Sequence, residues 1–528
     1  MPEAVIRHIG ARSEAPGRAK NVWDKIRSLE ELAEISAREK EVGGTVVLAH
    51  GVFDLLHLGH VRHLKQAHEH GTLLIVTITP DRFVNKGPGR PIFKEILRAE
   101  MLATLEYVDY VAINTGPTAG PVLDAVMPDV YVKGSEYADP TQDVTGKIKD
   151  ERQAVERGGG SMVFTEDITF SSSELINRHF NVFEPKTRAF LDNLRDGGHR
   201  ERILEAIERL ADLRVLVVGE TIIDEYRYVQ PMSKTPKENL IATLHQSVEV
   251  FAGGAIATAN HLASLVKEVE VITLYGAQDT HADFVQGKLK PNVRIHPVLR
   301  GEGPTTRKCR YVDPAQMRKL FEVYYMNDAP LEDAYQEELN RLLSAMAGDF
   351  DAVIVNDFGH SMIMPSSVKC LVEGAKFLAL NAQTNSANYG YNLISKYPHA
   401  DYVCIDHAEA RLAVRDQHAS IEDILKTSLV DLIPAPNVIV TKGKDGCCGY
   451  TAGEPTVQVP AFTDHVVDTV GAGDAFLSVT APLMATGADL LHTAFVGNIA
   501  GALKVGIVGH RNSIDKVALV KSVTALLK

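Results

Sequence analysis

Apolar residues fall along this chain in short runs separated by stretches of helical spacing. Residues 45–49, 73–78, 107–113, 130–132 and 161–164 read as strands in the first third. Runs this short and this apolar are typical of strands buried on both faces. Alternating with helical segments, they predict a parallel sheet covered on both sides. Ahead of them, residues 22–40 place Trp23, Ile26, Leu29, Leu32 and Ile35 on one side of a helix that Gly43-Gly44 should end. Residues 1–20 are polar and predict a loose arm. From Arg214 the alternation resumes, with strands expected at 214–219, 269–275, 352–356, 376–380, 402–405 and 438–441. Residues 226–250 and 307–325 read instead as β-ribbon, able to form a lid over a site in an α/β body. Between the two alternating regions, residues 181–213 are charged, helical in spacing and interrupted by Gly197-Gly198. The pattern divides the chain into an arm and helix (1–43), an α/β domain (44–180), a helical connector (181–212) and a larger α/β domain (213–528).

Composition narrows the choice of partners. A chain of 528 residues is too long for one ordinary core, which agrees with two domains or more. Lys and Arg number 55 against 68 Asp and Glu, a net charge of −13. That balance argues against a nonspecific nucleic-acid binder, which needs a basic footprint. The five cysteines, Cys309, Cys370, Cys404, Cys447 and Cys448, form no C-x-x-C pair and are expected as reduced thiols. No apolar run approaches the roughly 20 residues that span a bilayer, and residues 1–20 hold no apolar segment. The expectation is a cytoplasmic protein with neither membrane nor nucleic-acid partners.

Two stretches carry chemistry. The first is His57-Leu58-Gly59-His60, where the run at 45–49 hands over to a helix. Spacing of three puts both imidazoles on one helical face. The N-terminus of a helix offers N–H groups and a positive dipole end, which suits phosphate. Histidines there can donate to phosphate oxygens as charge develops. A zinc pair is an alternative, although no third ligand is evident nearby, and two structural histidines are another. Lys86, beside Gly87-Pro88, reads by itself as a solvated loop lysine, and Arg98 as an ordinary helix-surface charge.

The ordered set around the pair is more specific. Gly51-Val52-Phe53-Asp54 precedes it; Thr79-Pro80-Asp81, Lys86, Arg90-Pro91, Arg98, Val132-Lys133-Gly134 and Ser171-Ser172-Ser173-Glu174 follow. This set resembles the cytidylyltransferase-like nucleotidyltransferases over about residues 44–180, and within them looks most like the heptose-1-phosphate adenylyltransferases. The resemblance implies a Rossmann-like sheet. It also implies in-line attack of a sugar phosphate on the α-phosphorus of a nucleoside triphosphate, with release of pyrophosphate. By the same resemblance His57 and His60 hold the triphosphate and Lys86 contacts phosphates. Phe53, Asp54, Gly59, Arg98, Lys133, Ser172 and Ser173 line the nucleotide site, and Mg²⁺ bridges phosphate oxygens. ATP is the implied nucleotide, with CTP the alternative.

The second stretch is Asp468-Thr469-Val470-Gly471-Ala472-Gly473-Asp474-Ala475-Phe476, followed by a helical pattern. Glycines let backbone N–H groups approach an anion, and the helix adds its dipole. An Asp just beyond such a loop can take a proton from an attacking hydroxyl. The full string resembles the signature of the ribokinase-like (PfkB) carbohydrate kinases, a likeness that covers about residues 212–528. It implies a ribokinase-like α/β domain with a β-strand lid, and phosphoryl transfer from ATP to a sugar hydroxyl. Asp474 is the implied base, and Gly471, Ala472 and Gly473 the phosphoryl-binding backbone. Asp224, Gly253 and Gly254 correspond to the family's sugar-binding positions, and Glu409 to its Mg²⁺-organising glutamate. Thr441, Gly443 and Asn498 correspond to its nucleotide positions. Lys308 and Arg310, on the expected lid, could grip a phosphate already on the sugar or be ordinary strand charges. A monovalent cation in the kinase half and a homo-oligomer joined through lid strands are also implied.

Together the halves resemble the bifunctional enzymes that phosphorylate heptose 7-phosphate and adenylylate heptose 1-phosphate, here with the domain order reversed. Several positions depart from that pattern. Glu220 stands where the heptose kinases carry Asp, and Asp406 where Asn is usual. Asn381-Ala382-Gln383 replaces an Asp-Pro segment, and Ser171-Ser172-Ser173 a Ser-Thr-Thr run. A fusion acting on another sugar or polyol, and a regulatory or scaffold protein with one degenerate domain, are the rival readings.

Overall fold

The computed structural model describes residues 21–84, 90–135, 147–165, 183–235, 237–463 and 465–528. The expected arm, Lys86, Ser172 and Ser173 lie outside the described residues. The chain forms two compact units that adjoin in sequence at residues 179 and 180. Among the described residues no helix is long and apolar enough to cross a membrane.

The first unit is built on five strands, β1 (Val46–Gly51), β2 (Leu73–Ile78), β3 (Tyr110–Ile113), β4 (Val130–Gly134) and β5 (Ser161–Thr165). Their order is β3-β2-β1-β4-β5, every pair parallel. Successive side chains of β1 face opposite sides. Val46 and Leu48 join a core with Leu29, Leu32, Val122 and Val126, while Val47 and Ala49 join another with Leu64, Ala67, Ala99 and Leu102. Helices on both faces explain why a strand with no polar alternation is stable here.

The single helix expected over 22–40 is split. A 3-10 turn, Val22–Lys25, is followed by a helix, Leu29–Glu41. Ser28 accepts from the Glu31 amide at 3.2 Å, and the Glu31 carboxylate accepts from the Ser28 amide at 2.8 Å. That capping box starts a new helix at Leu29. Ile26, meanwhile, makes a parallel bridge to Val111 beside β3, which pulls the preceding turn out of helical line.

The second unit holds a nine-stranded sheet of order β10-β9-β6-β13-β14-β15-β16-β17-β18. Its strands are β6 (Arg214–Gly219), β9 (Glu268–Gln278), β10 (Val293–Pro304), β13 (Ala352–Asp357), β14 (Leu378–Ala382), β15 (Tyr402–Asp406), β16 (Asn437–Thr441), β17 (Cys447–Thr451) and β18 (Val457–Val459). All neighbours are parallel except the antiparallel β16-β17-β18 edge. A separate four-stranded sheet, β12-β11-β7-β8, forms the lid. It joins β7 (Thr221–Lys234), β8 (Ile241–Gly254), β11 (Arg307–Asp313) and β12 (Arg318–Tyr325). The β7–β8 pair starts earlier, at Thr221, and ends later, at Gly254, than the ribbon the sequence suggested. Strands β10, β17 and β18 were not expected, because their polar and glycine positions dilute the apolar run.

The stretch expected as a connector is built into this unit. Helices Pro185–Asp196 and His199–Glu208 bury Leu191, Leu194, Ile203 and Ile207 in the same core as Val215, Val217, Leu519 and Val523. Gly197-Gly198 separates the two helices, with Gly198 at a φ of 61°.

Candidate functional sites

In an open parallel sheet, ligands bind beyond the carboxyl ends of the strands where the strand order reverses. The first sheet reverses between β1 and β4, and the second between β6 and β13. Part of each motif lies near those two places: Phe53, His57 and His60 after β1, and Asp224 and Asp474 in the second unit, whereas Thr441, Gly443 and Asn498 lie at the β16–β18 edge.

In the first unit, β1 ends at Gly51 and the chain turns into the helix Leu58–His68. His57 caps that helix, its Nδ1 accepting the Gly59 amide at 3.1 Å. An accepting Nδ1 places the proton of the neutral ring on Nε2. His60 stacks on His57 with ring centroids 3.9 Å apart, and the Phe53 ring meets His60 edge-on at 5.1 Å. Phe53, His57, Gly59 and His60 thus form one cluster at a helix N-terminus. Lys133, at the end of the neighbouring β4, pairs with Glu151 at 2.9 Å. His50, on β1, lies between the hydroxyls of Thr77 and Thr79 at 2.9 and 3.3 Å. Burial, reinforced by the Lys133 charge, pushes its pKa down to about 3, so it stays neutral.

Two expected nucleotide contacts are committed to the protein instead. Asp54 is fully buried and accepts the amides of Ile92 and Phe93 at 2.7 and 3.2 Å, with the Arg90 guanidinium at 3.5 Å. Arg98 is also fully buried. It donates to the carbonyls of Val52, Thr79 and Phe93 at 2.5, 2.9 and 2.9 Å and to the Asp81 carboxylate at 2.7 Å. Both side chains fix the loops around the histidine cluster. Arg98 is neither a solvated charge nor exposed to a ligand, because its donors point at carbonyls inside the fold.

In the second unit, Gly471 caps the helix Ala472–Ala485 at a φ of 76°, and a Cβ there would overlap the His510 ring. Only glycine suits both the conformation and the approach. Ala472 and Gly473 open the helix, whose first-turn amides lack intrahelical partners by construction. Asp474 follows, buried, accepting the amide groups of Asn356 at 3.3 Å and Gln383 at 3.1 Å. Burial raises its pKa above the ordinary carboxylate range; Asp224 adds to the rise, while His510 and Gln383 oppose it.

Asp224 sits on β7, bonded to the Arg310 guanidinium and 3.4 Å from His510 Nε2. Burial works to raise its pKa, but Arg310 and His510 outweigh it and hold the carboxyl below the usual range. Lys308 lies opposite Asp224 in the β11–β7 register, its ammonium 5.4 Å over the Tyr324 ring. Burial pulls the Lys308 pKa down, with the Asp224 charge opposing. Both lid cations are buried rather than ordinary exposed strand charges. Gly253 and Gly254 end β8 against this cluster, and a Cβ on Gly253 would overlap the Asp224 carboxylate.

Thr441 ends β16, where the turn Gly443–Asp445 begins. Thr441 pairs with Cys447, and Cys447 with Val459. Asn498 donates to the carbonyls of Val459 and Pro460 at 3.1 and 3.3 Å, which joins it to the same patch. Glu409 closes a capping box on Asp406, accepting the amides of Asp406 at 2.8 Å and Thr384 at 3.0 Å. Burial, then the Asp406 charge, pushes its pKa up to about 8. Asp406 serves the cap as well as the usual Asn would, since capping needs only a side-chain oxygen. Glu220 likewise ties the reversal point together, accepting the amides of Phe358 at 3.0 Å and His360 at 2.9 Å.

Asn356, His510 and Lys504 were missed by sequence reasoning. Asn356 was legible in principle, as the last polar residue of an expected strand at the reversal point. Gln383 was noticed only as a departure from pattern. Nothing local marks His510 or Lys504. Among the described residues, no three His, Cys, Asp or Glu side chains converge as a metal cage. A single half-buried carboxylate such as Glu409 suits Mg²⁺, which keeps waters and binds mainly through nucleotide phosphates.

Known proteins resemble both parts of the chain. A model described as pfkB family carbohydrate kinase matches residues 212–517, more than half of the chain. One described as Cytidylyltransferase-like matches residues 48–178. The chain is similar to the "Bifunctional protein HldE" of Trichlorobacter lovleyi, 40% identical over 317 residues, which are 59% of this chain and 63% of that one. It is similar to the protein of the same name from Citrifermentans bemidjiense, 34% identical over 315 residues, again 59% and 63%. In both cases the match spans less than two thirds of the relative's length. A solved structure of the tetrameric inhibited form of phosphofructokinase-2 from Escherichia coli aligns over 60% of this chain and 100% of that one. Its identity is 16% and its TM-score 0.47.

Proposed function

The chain belongs to the pfkB family of carbohydrate kinases, with a cytidylyltransferase-like domain ahead of the kinase domain, and from that premise we propose a bifunctional enzyme of nucleotide-sugar synthesis. The kinase half phosphorylates a sugar phosphate, best matched by heptose 7-phosphate. The first half transfers a nucleotide to a sugar 1-phosphate, best matched by ADP-heptose formation. The observation that carries this reading is Asp474, buried and buttressed at the start of a helix whose Gly471 lies against His510, itself 3.4 Å from the Asp224 that binds Arg310.

In the kinase half, Asp224 holds a sugar hydroxyl while Asp474 accepts the proton of the attacking one, which bonds to the γ-phosphorus as ADP leaves. The amides after Gly471 stabilise the transferring phosphoryl charge. Lys308 and Arg310 supply two buried cations that suit a phosphate carried by the sugar. In the first half, a sugar phosphate oxygen attacks the α-phosphorus and pyrophosphate leaves. His57 Nε2–H and the helix amides meet the growing charge, and Lys133 adds a cation at the neighbouring strand end. Enzymes of both families generally use ATP and Mg²⁺, and Mg²⁺ would neutralise phosphate charge between Glu409 and the nucleotide in the kinase half. If the kinase adds a second phosphate, a separate phosphatase must act between the two steps.

Five free thiols suit a reducing, cytoplasmic setting. Exposed Ile241, Leu244, Val248, Phe321 and Val323 on the lid strands support a homo-oligomer joined there. The functional test is pyrophosphate release from a sugar 1-phosphate panel that includes heptose 1-phosphate, with ATP and CTP in parallel. Release with ATP and heptose 1-phosphate is expected. Release only with CTP, or only with another sugar, would keep the chemistry and replace the substrate. No release with any pair would favour a regulatory role for the first half.

A further inference from the structure

The kinase resemblance brings with it a monovalent cation, and the residues beside the Gly471 turn do not fit one. A bare cation is held by carbonyl and carboxylate oxygens. Beside the turn, the carbonyls of Val470 and Gly509 converge on a single point, and the Lys504 ammonium stands there. It donates to them at 2.6 and 2.8 Å. Lys504 is the last residue of the helix Leu490–Lys504 and is fully buried. The neighbouring carboxylate, Asp468, is also engaged. It accepts from Tyr226 Oη at 2.7 Å, Lys319 Nζ at 2.7 Å, and the amides of Gly509 and Val470 at 2.8 and 3.2 Å. The oxygen atoms that a free ion would need are therefore taken by groups of the protein itself.

We propose that the Lys504 ammonium is a tethered replacement for the monovalent cation, so that the kinase half works without potassium or sodium. An ammonium matches potassium in charge and closely in size, so it can bridge the same pair of carbonyls. By joining Val470 to Gly509 it fixes the residue immediately before Gly471 and the loop that carries His510. Lys504 is thus a positioning residue: it acts through the turn rather than on substrate. Burial pulls its pKa down, but the charges of Asp468, Asp474 and Asp224 oppose that and favour the ammonium form. Tethering is also efficient, since a bound ion must be drawn from solution whereas Lys504 is ordered by folding.

This inference rests on the kinase reading, and its test keeps the two apart by using melting as well as activity. The full-length protein is melted, and assayed for ADP formation with ATP and heptose 7-phosphate. Buffers contain either tetramethylammonium, too large to enter, or potassium or ammonium at equal ionic strength. For the wild type, melting temperature and kcat are expected to be the same in all three within about twofold in rate. Lys504→Gly is expected to lose about 100-fold in kcat in tetramethylammonium and to regain about tenfold or more with ammonium or potassium. Its melting temperature should rise by a few degrees with the same ions, as for any ligand that binds only the folded state. A wild type stabilised or activated by potassium would overturn the proposal, and that arm needs no variant to fold. A folded Lys504→Gly that keeps full kcat in tetramethylammonium would also overturn it. Absence of ADP formation in every buffer would count against the kinase reading, while the melting comparison would still decide the question of the cation.

Discussion

The two candidate phosphate sites occupy equivalent places in unlike sheets. In the first unit, strand end, histidine pair and helix start lie within residues 51–60, and the groups proposed to meet phosphate are imidazoles. In the second, the reversal point is served by Asp224, Arg310, Asn356, Gln383, Asp474 and His510, drawn from separate elements, and the central group is a carboxylate. The difference follows from the chemistry. Nucleotidyl transfer uses a nucleophile that is already an anion, so the protein needs donors and not a base. Phosphorylation of a hydroxyl needs a group to take its proton, so a carboxylate is buried and its pKa raised.

The sharpest way to break this contrast is to remove the base. Asp474→Asn should lower kinase kcat by about 10²–10⁴ and leave pyrophosphate release at the wild-type rate, both read by coupled assay. Next, His60→Ala should lower pyrophosphate release by about 10²–10³ while ADP formation is unchanged. A third variant probes the support beneath the histidines. Arg98→Met strips its partner from Asp81 and from three carbonyls, and should destabilise the first unit by roughly 3 kcal/mol, seen as an earlier transition in urea. If Arg98 were an exposed charge, the loss would be near zero.

Smaller effects separate the sugar end from the phosphoryl end. Asp224→Asn should raise the KM for the sugar about tenfold or more, as expected when a hydrogen bond to a charged group is weakened, with a lesser change in kcat. The mildest signature is in pH. In the proposed mechanism Asp474 works as the deprotonated base, and its folded pKa is raised by burial. As pH falls through that raised value the base is lost, so the acid limb of kinase kcat should lie above the pH of about 4 at which an exposed aspartate titrates. Pyrophosphate release should not share that limb.

The same contrast governs what the sequence revealed. The βα alternation exposed both sheets, because strands covered on both faces are apolar without interruption, as in β1 and β6. The first site was legible because its residues are adjacent. Even there, the roles of Asp54 and Arg98 were not. Burial and partners decide whether such a charge meets a ligand or a carbonyl, and neither leaves a mark on spacing. In the second unit the motif around Asp474 was plain, yet the side chains that buttress Asp474, Asn356 and Gln383, come from two other segments. The split at Ser28 was masked by a helical periodicity that ran straight through the capping box.

The central claim is that one chain carries two independent phosphate chemistries, and reciprocal loss tests it most directly. Asp474→Asn and His60→Ala proteins would each be assayed for ADP formation with heptose 7-phosphate and for pyrophosphate release with heptose 1-phosphate. The account predicts that each variant loses one activity and keeps the other at the wild-type rate. A folded variant that loses both, or a wild type that performs only one, would contradict it.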